Sequence, residues 1–581
     1  MGRQNGHHHS RQPLDHNARH SLDGSFFSLP RPTPANLIGS FLFFFFASQL
    51  FTSTPFERVG SHRKLAEDAG STSRVWKGTH LAVSKKSHAY LRSAFWDRSE
   101  TSFTTNVSGG YEGAESFYKP WLEKDLQPWK ENGITKEGVD AAAKLYDVCD
   151  GDLFRFQIIN GSLWVHHITE RRNGWYPAVL GPENVAAKGR VPYALLALMD
   201  TLRAFPGEIP DLDAVFQTSD FPCIKRKWQH GAAGPTPMFG YQASVRHYDL
   251  PLPDHAFWGH EYQYLQDPWG NYAHGWDNQL EVMARKYQNV SLLDRIPQAM
   301  WRGRTQDKIY PHRDRLRRKF VECVDTIKER PESLEGSIRP EDASLMSVLK
   351  PPVALQDTCD YRYPVYIESD AYASNLKTKL SCGSVLLVLE MEYFEFYARA
   401  LEPGKHYVPV TRLETHVCED IIPKIKAMND MFASTGLSSL KSSGELTPTL
   451  KAQLEVMRKD KALAAMLTKA STPTDPPLVG PDGNYTWGSK LYPWEIAAEG
   501  QRFVREHLRM EDTLLYTRDM LKAYAALQKY KVKPDPKAKC YTGDLLIEQF
   551  STPHKADGVV IKRAYPWLKG YTGGCNGAAA T

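Results

Sequence analysis

CDYRYPVYIESDAYASNLKTKLSCGSVLLVLEMEYFEFYARALEPGKHYVPV, residues 359–410, holds the pattern that decides the fold. VYIES (365–369) and VLLVL (385–389) are apolar runs too short for helices. Continuous rather than alternating runs of this kind mark strands buried on both faces, as in parallel sheets. The piece between them is helix-compatible, so the stretch reads strand, helix, strand. The first strand ends at Ser369, Asp370 or Ser374 can cap the helix, and Lys377 lies in its first turns. A helix N-terminus and a cation both attract anions, and a diphosphate uses both. The same residues also fit a solvated basic face with ordinary caps, and spacing alone does not lift the anion site above that reading.

Working upstream, an alternating section starts at AMWRGRT (299–305), and RDRLRRKFVECV (313–324) has helical spacing. Arg302, Arg304 and Arg313 stand around Gly303 there. Earlier, FRFQIINGSLWVHHI (154–168) places two apolar runs around Asn160-Gly161, a hairpin signal. A helix follows around YALLALMDTLRAF (193–205), then a short strand at Ala214–Phe216. VFQTSDFP (215–222) ends that strand in Asp220, and a carboxylate at the C-terminal end of an α/β strand faces the ligand crevice. The last long pattern, 497–527, puts Phe503, Val504, Leu508, Leu514, Leu521 and Tyr524 on one side of a helix. Alternation in two separate sections predicts an α/β protein with two similar lobes, 111–297 and 298–534. An insertion at about 435–490 interrupts the second, and 535–581 reads as a C-terminal extension.

Composition removes several alternatives. With 581 residues, 41% hydrophobic and 24% charged, the chain is ordinary for a globular protein of more than one domain. A formal charge of +5 is too small to argue for a nucleic-acid binder. Only Ala35–Phe51, with its Phe41–Phe46 run, is apolar enough for lipid, and roughly 17 residues is the short end for a spanning helix. The tail at 1–34 carries Arg3, Arg11, Arg19 and Arg31 against Asp15 and Asp23. The positive-inside rule therefore predicts a type II signal anchor at 35–51, a stem at 52–110 and a lumenal body. A cleaved signal peptide is the rival reading and a transit peptide the third. Sequons at Asn106, Asn160, Asn289 and Asn484 fit a lumenal address, with Asn160 the poorest acceptor because its turn is tight. So do the 8 Cys, whose pairing cannot be read from spacing.

P-loop, nucleophile-elbow and zincin patterns are missing from the sequence. The D-x-D strings Asp150/Asp152 and Asp211/Asp213 could hold a divalent ion against a nucleotide diphosphate, yet Asp211 after Pro210 suits a turn as well.

From about Tyr118 to Lys533, apart from the insertion, the chain resembles glycosyltransferase family 90. That family holds protein O-glucosyltransferases, fungal capsule xylosyltransferases and related plant proteins. PWKENGITKEGVDAA, FRFQIINGSLWV, PGEIPDLDAVFQTSDFP, HAFWG, WRGR, CDYRYPVYIE, KTKLSCGSVLL, LEPGKHYVPV and GQRFVREHLRM fall in family order, closer to the plant-type branch than to the animal O-glucosyltransferases. The resemblance implies a GT-B fold: two Rossmann-like lobes, a UDP-sugar donor in the second, an acceptor across the cleft. It further implies inversion at the anomeric centre, with no metal and no cofactor. By motif, Asp220 is the general base, and Arg302, Gly303, Arg304 and Arg313 contact the donor. Asp370, Ala371, Ser374 and Asn375 wrap the nucleotide-sugar with Lys377 just beyond, while Trp258 and Gly259 line the cleft. Animal relatives carry two Cys at the spacing of Cys359 and Cys382, which implies a disulfide there. Those relatives have Ser at the place of Arg304, and Arg at the places of Asn375 and Ser219, so donor and acceptor choice do not transfer from them. The expected partners are a UDP-sugar (glucose or xylose), a glycan or glycoprotein acceptor, and the Golgi or endoplasmic reticulum membrane through one helix. A metal-dependent GT-A transferase resting on Asp211 or Asp213, and an idle lumenal carbohydrate-binding protein, are the alternatives.

Overall fold

A computed structural model describes residues 117–145, 149, 153–166, 190–228, 234–259, 275–287, 290, 292–303, 305, 315–334, 338–348, 354–369, 371–412, 416–434, 491–551 and 561–575. Two short helices, α1 (Lys119–Leu126) and α2 (Lys136–Ala142), precede the first sheet. β1 (Leu153–Ile159) and β2 (Ser162–His166) form the expected hairpin. Asn160 (φ 49°) and Gly161 (φ 75°) make its two-residue turn, and both are left-handed as the twist of a tight hairpin requires. The Asn160 amide donates to Asp211 Oδ1 at 2.7 Å, so Asp211 caps the hairpin.

The helix α3 (Val191–Ala204) is buried along most of its length, with a Pro in its first turn and Arg203 in its last. It leads to β3 (Leu212–Gln217), which pairs antiparallel with β1. β4 (Phe239–Gly240) and β6 (Leu250–Pro251) then add in parallel, while β5 (Ala243–Ser244) stays outside this sheet. The first sheet is therefore mixed. This departs from the expected pair of similar lobes, because a two-residue turn can only join antiparallel strands.

After α4 (Trp276–Tyr287) the second sheet assembles. β7 (Ile296–Met300), the amphipathic helix α5 (Arg315–Glu329), β8 (Met346–Ser347) and β9 (Tyr361–Tyr366) are followed by α6 (Leu376–Ser381) and β10 (Leu387–Leu389). β11 (Tyr393–Phe394) leaves to pair with β5, and β12 (Val408–Val410) completes the sheet. All its pairings are parallel, in the order β8-β7-β9-β10-β12. In chain order that is 2-1-3-4-5, a doubly wound arrangement whose direction reverses between β7 and β9. The apolar runs are buried on both faces, as their unbroken character predicts. Tyr363, Val365, Leu387 and Leu389 enter a core with α5 and α7 (Val417–Ser434), while Tyr366, Leu386 and Val388 enter the larger core on the other side.

The long pattern at 497–527 is two helices, α8 (Pro493–His507) and α9 (Met510–Leu527). The break falls where Asp512 accepts the Arg509 amide at 3.0 Å and starts a new helix. It lets α9 return to the first sheet, where the Tyr516 hydroxyl donates to Pro251 O (2.6 Å) and Gln528 Nε2 to Asp213 O (2.9 Å). The segment read as an extension also belongs there: β13 (Ala538–Cys540) pairs with β2, and α10 (Gly543–Ser551) packs on α3. All eight cysteines are paired, 149–223, 323–418, 359–382 and 540–575. The expected Cys359–Cys382 bridge is among them, and the pairing of the other six answers what spacing left open. Among the described residues no helix is long and apolar enough to cross a membrane. The tail, the 35–51 segment, the stem, the insertion and Asn106, Asn289 and Asn484 lie outside them.

Candidate active site

The turn that carries Asp220 is held from several sides. Gln217, the last residue of β3, donates through Nε2 to Phe221 O (2.9 Å) and accepts the Ser219 amide (2.9 Å). Gln242 Nε2 donates to Asp220 O at 2.5 Å. Asp249 accepts the amides of Cys223 and Ile224, each at 2.7 Å. Burial pushes the Asp249 carboxyl up to about 7, and these amide bonds oppose that shift. With its backbone fixed, Asp220 keeps its side chain 43% exposed, and Arg190 Nη1 donates to its Oδ1. Arg190 is itself placed by its position just before α3 and by the Tyr241 hydroxyl, which donates to its carbonyl at 3.0 Å. Sequence reading missed Arg190, because a lone Arg ahead of a helix has no pattern.

Arg190 thus meets Asp220 at Oδ1. Arg190→Met is expected to lower turnover by about 10–100-fold through loss of orientation. Combined with Asp220→Asn it should cost no more than Asp220→Asn alone, which steady-state kinetics of the three variants would check.

The second sheet offers its C-terminal edge. Trp301–Gly303 leave β7 and Ile367–Ser369 leave β9, on the two sides of the reversal point where ligands of open α/β sheets bind. Arg317 joins the two exits: its Nε donates to Glu368 O at 2.8 Å, and its guanidinium lies 5.6 Å from the Trp301 ring. It was one cation among several in a helical run, and only the fold singles it out. Arg302 turns back onto β8, donating to Ser347 O and, at 3.0 Å, to Ser347 Oγ. At Gly303 a Cβ would sit 2.5 Å from the Trp301 ring. Gly303→Ala should therefore displace that ring and cost about 1–3 kcal/mol in thermal or urea unfolding.

The loop Ala371–Asn375 follows β9. Its Ala373 amide donates to the Tyr366 hydroxyl at 3.0 Å. Tyr372 is 4% exposed, and its hydroxyl has no hydrogen-bond partner among the described residues; nor has Asn375 Oδ1. Burial, then the charge of Asp254, raises the Tyr372 pKa well above the phenol range; the charges of Arg190, Glu395 and Asp220 also act on it. The Tyr372 hydroxyl is thus kept neutral. The Phe221 ring meets Tyr393 edge-on, with centroids 6.2 Å apart, so the Asp220 turn abuts the second half of the molecule.

Other expected site residues fall elsewhere. Lys377 is completely buried, bonded to Asp254, Glu395 and Ser374 O. Trp258 is 0% exposed and donates to Asp200 Oδ2 at 3.3 Å, so it fills the core instead of lining a cleft. Gly259 takes the left-handed conformation (φ 98°) that ends the turn after it. Asp213 is held by Arg155 at 2.5 and 2.7 Å, and with Asp211 on the hairpin this D-x-D string has a structural role. Arg304, Arg313 and Asp370 lie outside the described residues, as do Asp150 and Asp152. Among the described residues no group of three or more His, Cys, Asp or Glu is placed to hold a metal.

The family model described as "Glycosyl transferase family 90" matches residues 113–435 and 489–553. The chain belongs to glycosyl transferase family 90. Among curated relatives, "O-glucosyltransferase rumi" of Drosophila melanogaster is 24% identical over 452 residues, 75% of this chain and 87% of the relative. "Protein O-glucosyltransferase 1" of Homo sapiens is 23% identical over 335 residues, 56% and 65% of the two chains. "O-glucosyltransferase rumi homolog" of Aedes aegypti is 23% identical over 415 residues, 71% and 79%. The family 90 match takes in both the Asp220 turn and the 371–375 loop, and passes over 436–488, inside the span read as an insertion.

Proposed function

We propose that this chain is an inverting glycosyltransferase that moves a sugar, glucose or xylose, from a UDP-sugar to a hydroxyl of a glycan or glycoprotein acceptor, without a metal. The observation that carries the reading is the half-exposed Asp220 carboxylate, oriented by Arg190, on the turn that abuts the second sheet. In this GT-B reading the second sheet holds the donor at its reversal point and the first presents the acceptor. Asp220 takes the proton of the acceptor hydroxyl as the new O–C1 bond forms. The bond from C1 to the diphosphate oxygen breaks, and UDP leaves with the electron pair. Cations and hydrogen-bond donors at the leaving oxygen would stabilise that charge. The named activity of the relatives, protein O-glucosylation, supports a glycoprotein acceptor. Four disulfides and no free cysteine fit an oxidising lumen, so we place the body in the Golgi or endoplasmic reticulum, anchored by 35–51.

The test is a panel of UDP-sugars given to the full chain in detergent, with and without glycoprotein acceptors, reading UDP release and the anomeric configuration of the product. Release with one donor, inverted product and an unchanged rate in EDTA are expected. Retained configuration, or loss of activity in EDTA, would overturn the mechanism. UDP binding without turnover would make the chain an idle carbohydrate-binding relative.

A further inference from the structure

Lys377 has no solvent-exposed surface, and its ammonium is fully engaged. Its Nζ lies 2.9 Å from Asp254 Oδ1, 2.8 Å from Ser374 O and 3.5 Å from Glu395 Oε1, over the Phe257 ring at 4.4 Å. An ammonium has three N–H groups, and among the described residues these three oxygens lie within hydrogen-bond reach of them. Asp254 follows β6 of the first sheet, Lys377 opens α6 of the second, and Ser374 belongs to the loop between β9 and α6. One buried cation therefore ties that loop to both halves of the molecule. We propose that Lys377 is a positioning residue: through Asp254 it locks the Ala371–Asn375 loop in its donor-binding shape, and it does not itself touch the diphosphate. This rests on the reading that the loop wraps a UDP-sugar.

The charges around the lock support it. Burial pushes the Glu395 carboxyl well above its usual range; Lys377 pulls it back, and Asp254 pushes it further up. The nearer carboxylate to the ammonium is that of Asp254, and the Tyr397 hydroxyl donates to the other Glu395 oxygen at 2.7 Å. A buried ion pair of this kind is costly to break from either side, because the partner is left charged and unpaired. Both halves of the lock should therefore matter equally for the loop, although only Lys377 is near it in sequence.

The two roles predict opposite signs. If Lys377 met the diphosphate, Asp254 would compete for it, and Asp254→Asn would leave UDP binding unchanged or tighten it. As a lock, Lys377→Met and Asp254→Asn should each weaken UDP binding by about tenfold or more in calorimetry of the full chain. The double variant should lose no more than either single, as expected for residues acting as one unit. Glu395→Gln should stay within about threefold, since Glu395 Oε1 lies 3.5 Å from Nζ against 2.9 Å for Asp254 Oδ1 and an amide oxygen can still accept there. Tighter or unchanged binding in Asp254→Asn overturns the proposal, and so does an equal loss in Glu395→Gln. A merely structural pair would lower the melting temperature and leave the affinity of the folded fraction untouched, which also overturns it. The wild-type protein gives a second measurement should a variant fail to fold. Hydrogen exchange at 371–374 should be slow before ligand is added, and UDP should change it by less than about threefold. Protection that arises only with UDP would sink the lock. Failure of wild-type protein to bind UDP would instead remove the donor reading, and the exchange result would still decide whether the loop is held.

Discussion

Asp220→Asn should lower turnover by about 10²–10⁴-fold, the range that loss of a general base costs. The substitution is conservative in shape. Asn can still accept the hydrogen bond from Arg190, and the turn itself is held by Gln217, Gln242 and Asp249 through backbone groups. What disappears is the ability to accept the proton of the acceptor hydroxyl. UDP affinity should stay nearly unchanged, because the carboxylate is on the first-sheet side while the diphosphate is expected at the second sheet's edge. If Asp220 were only a strand-end residue paired with Arg190, Asn would serve as well and the kinetics would barely move. Near-normal transfer by a well-folded Asp220→Asn enzyme would remove the mechanism, even though the family assignment would stand.

Features fixed by neighbours in the chain were legible before the structure. Asn160-Gly161 announces its hairpin because both residues tolerate the left-handed conformation. VLLVL announces a strand buried on both faces because nothing polar interrupts it, and Asp220 announces itself by standing just past a strand. Features fixed by distant partners were not legible. Arg190 and Asp220 are 30 residues apart, and Lys377 and Asp254 are 123 apart, with nothing local to mark either pair. Apolar periodicity also runs unbroken from α8 into α9, because both helices bury the same side while pointing to different sheets; only the Asp512 cap separates them. The antiparallel half of the first sheet and the return of β13 are likewise matters of pairing, which periodicity cannot report. Lys377 stands beside the 371–375 loop in sequence, but its bonds to Asp254 and Glu395 become visible only when the halves come together.

Removing disulfides should separate stability from function. Cys323–Cys418 joins α5 to α7 across a separation of 95 residues, and Cys359–Cys382 brackets β9, the 371–375 loop and α6 across 23. On the loop-entropy model, opening the longer one costs about 4.7 kcal/mol and the shorter about 3 kcal/mol. All four cysteines are buried, so replacing each pair by alanines removes similar sulfur volume and leaves loop length as the main difference. Chemical unfolding should therefore find the 323/418 variant the less stable by roughly 1–2 kcal/mol. UDP binding should rank them the other way. The 323–418 bridge ties two helices on the face of the sheet away from α6, whereas Cys359 and Cys382 fix the two ends of the unit that carries the loop. A loop freed at both ends must be ordered again when ligand binds, and that entropy is charged to affinity. Calorimetry on the folded proteins should show the 359/382 variant binding UDP about tenfold or more weakly, with the 323/418 variant near wild type. Equal affinities in the two variants would mean that the loop is held by the Lys377 contacts alone. The reverse ranking would place the donor away from this edge of the second sheet.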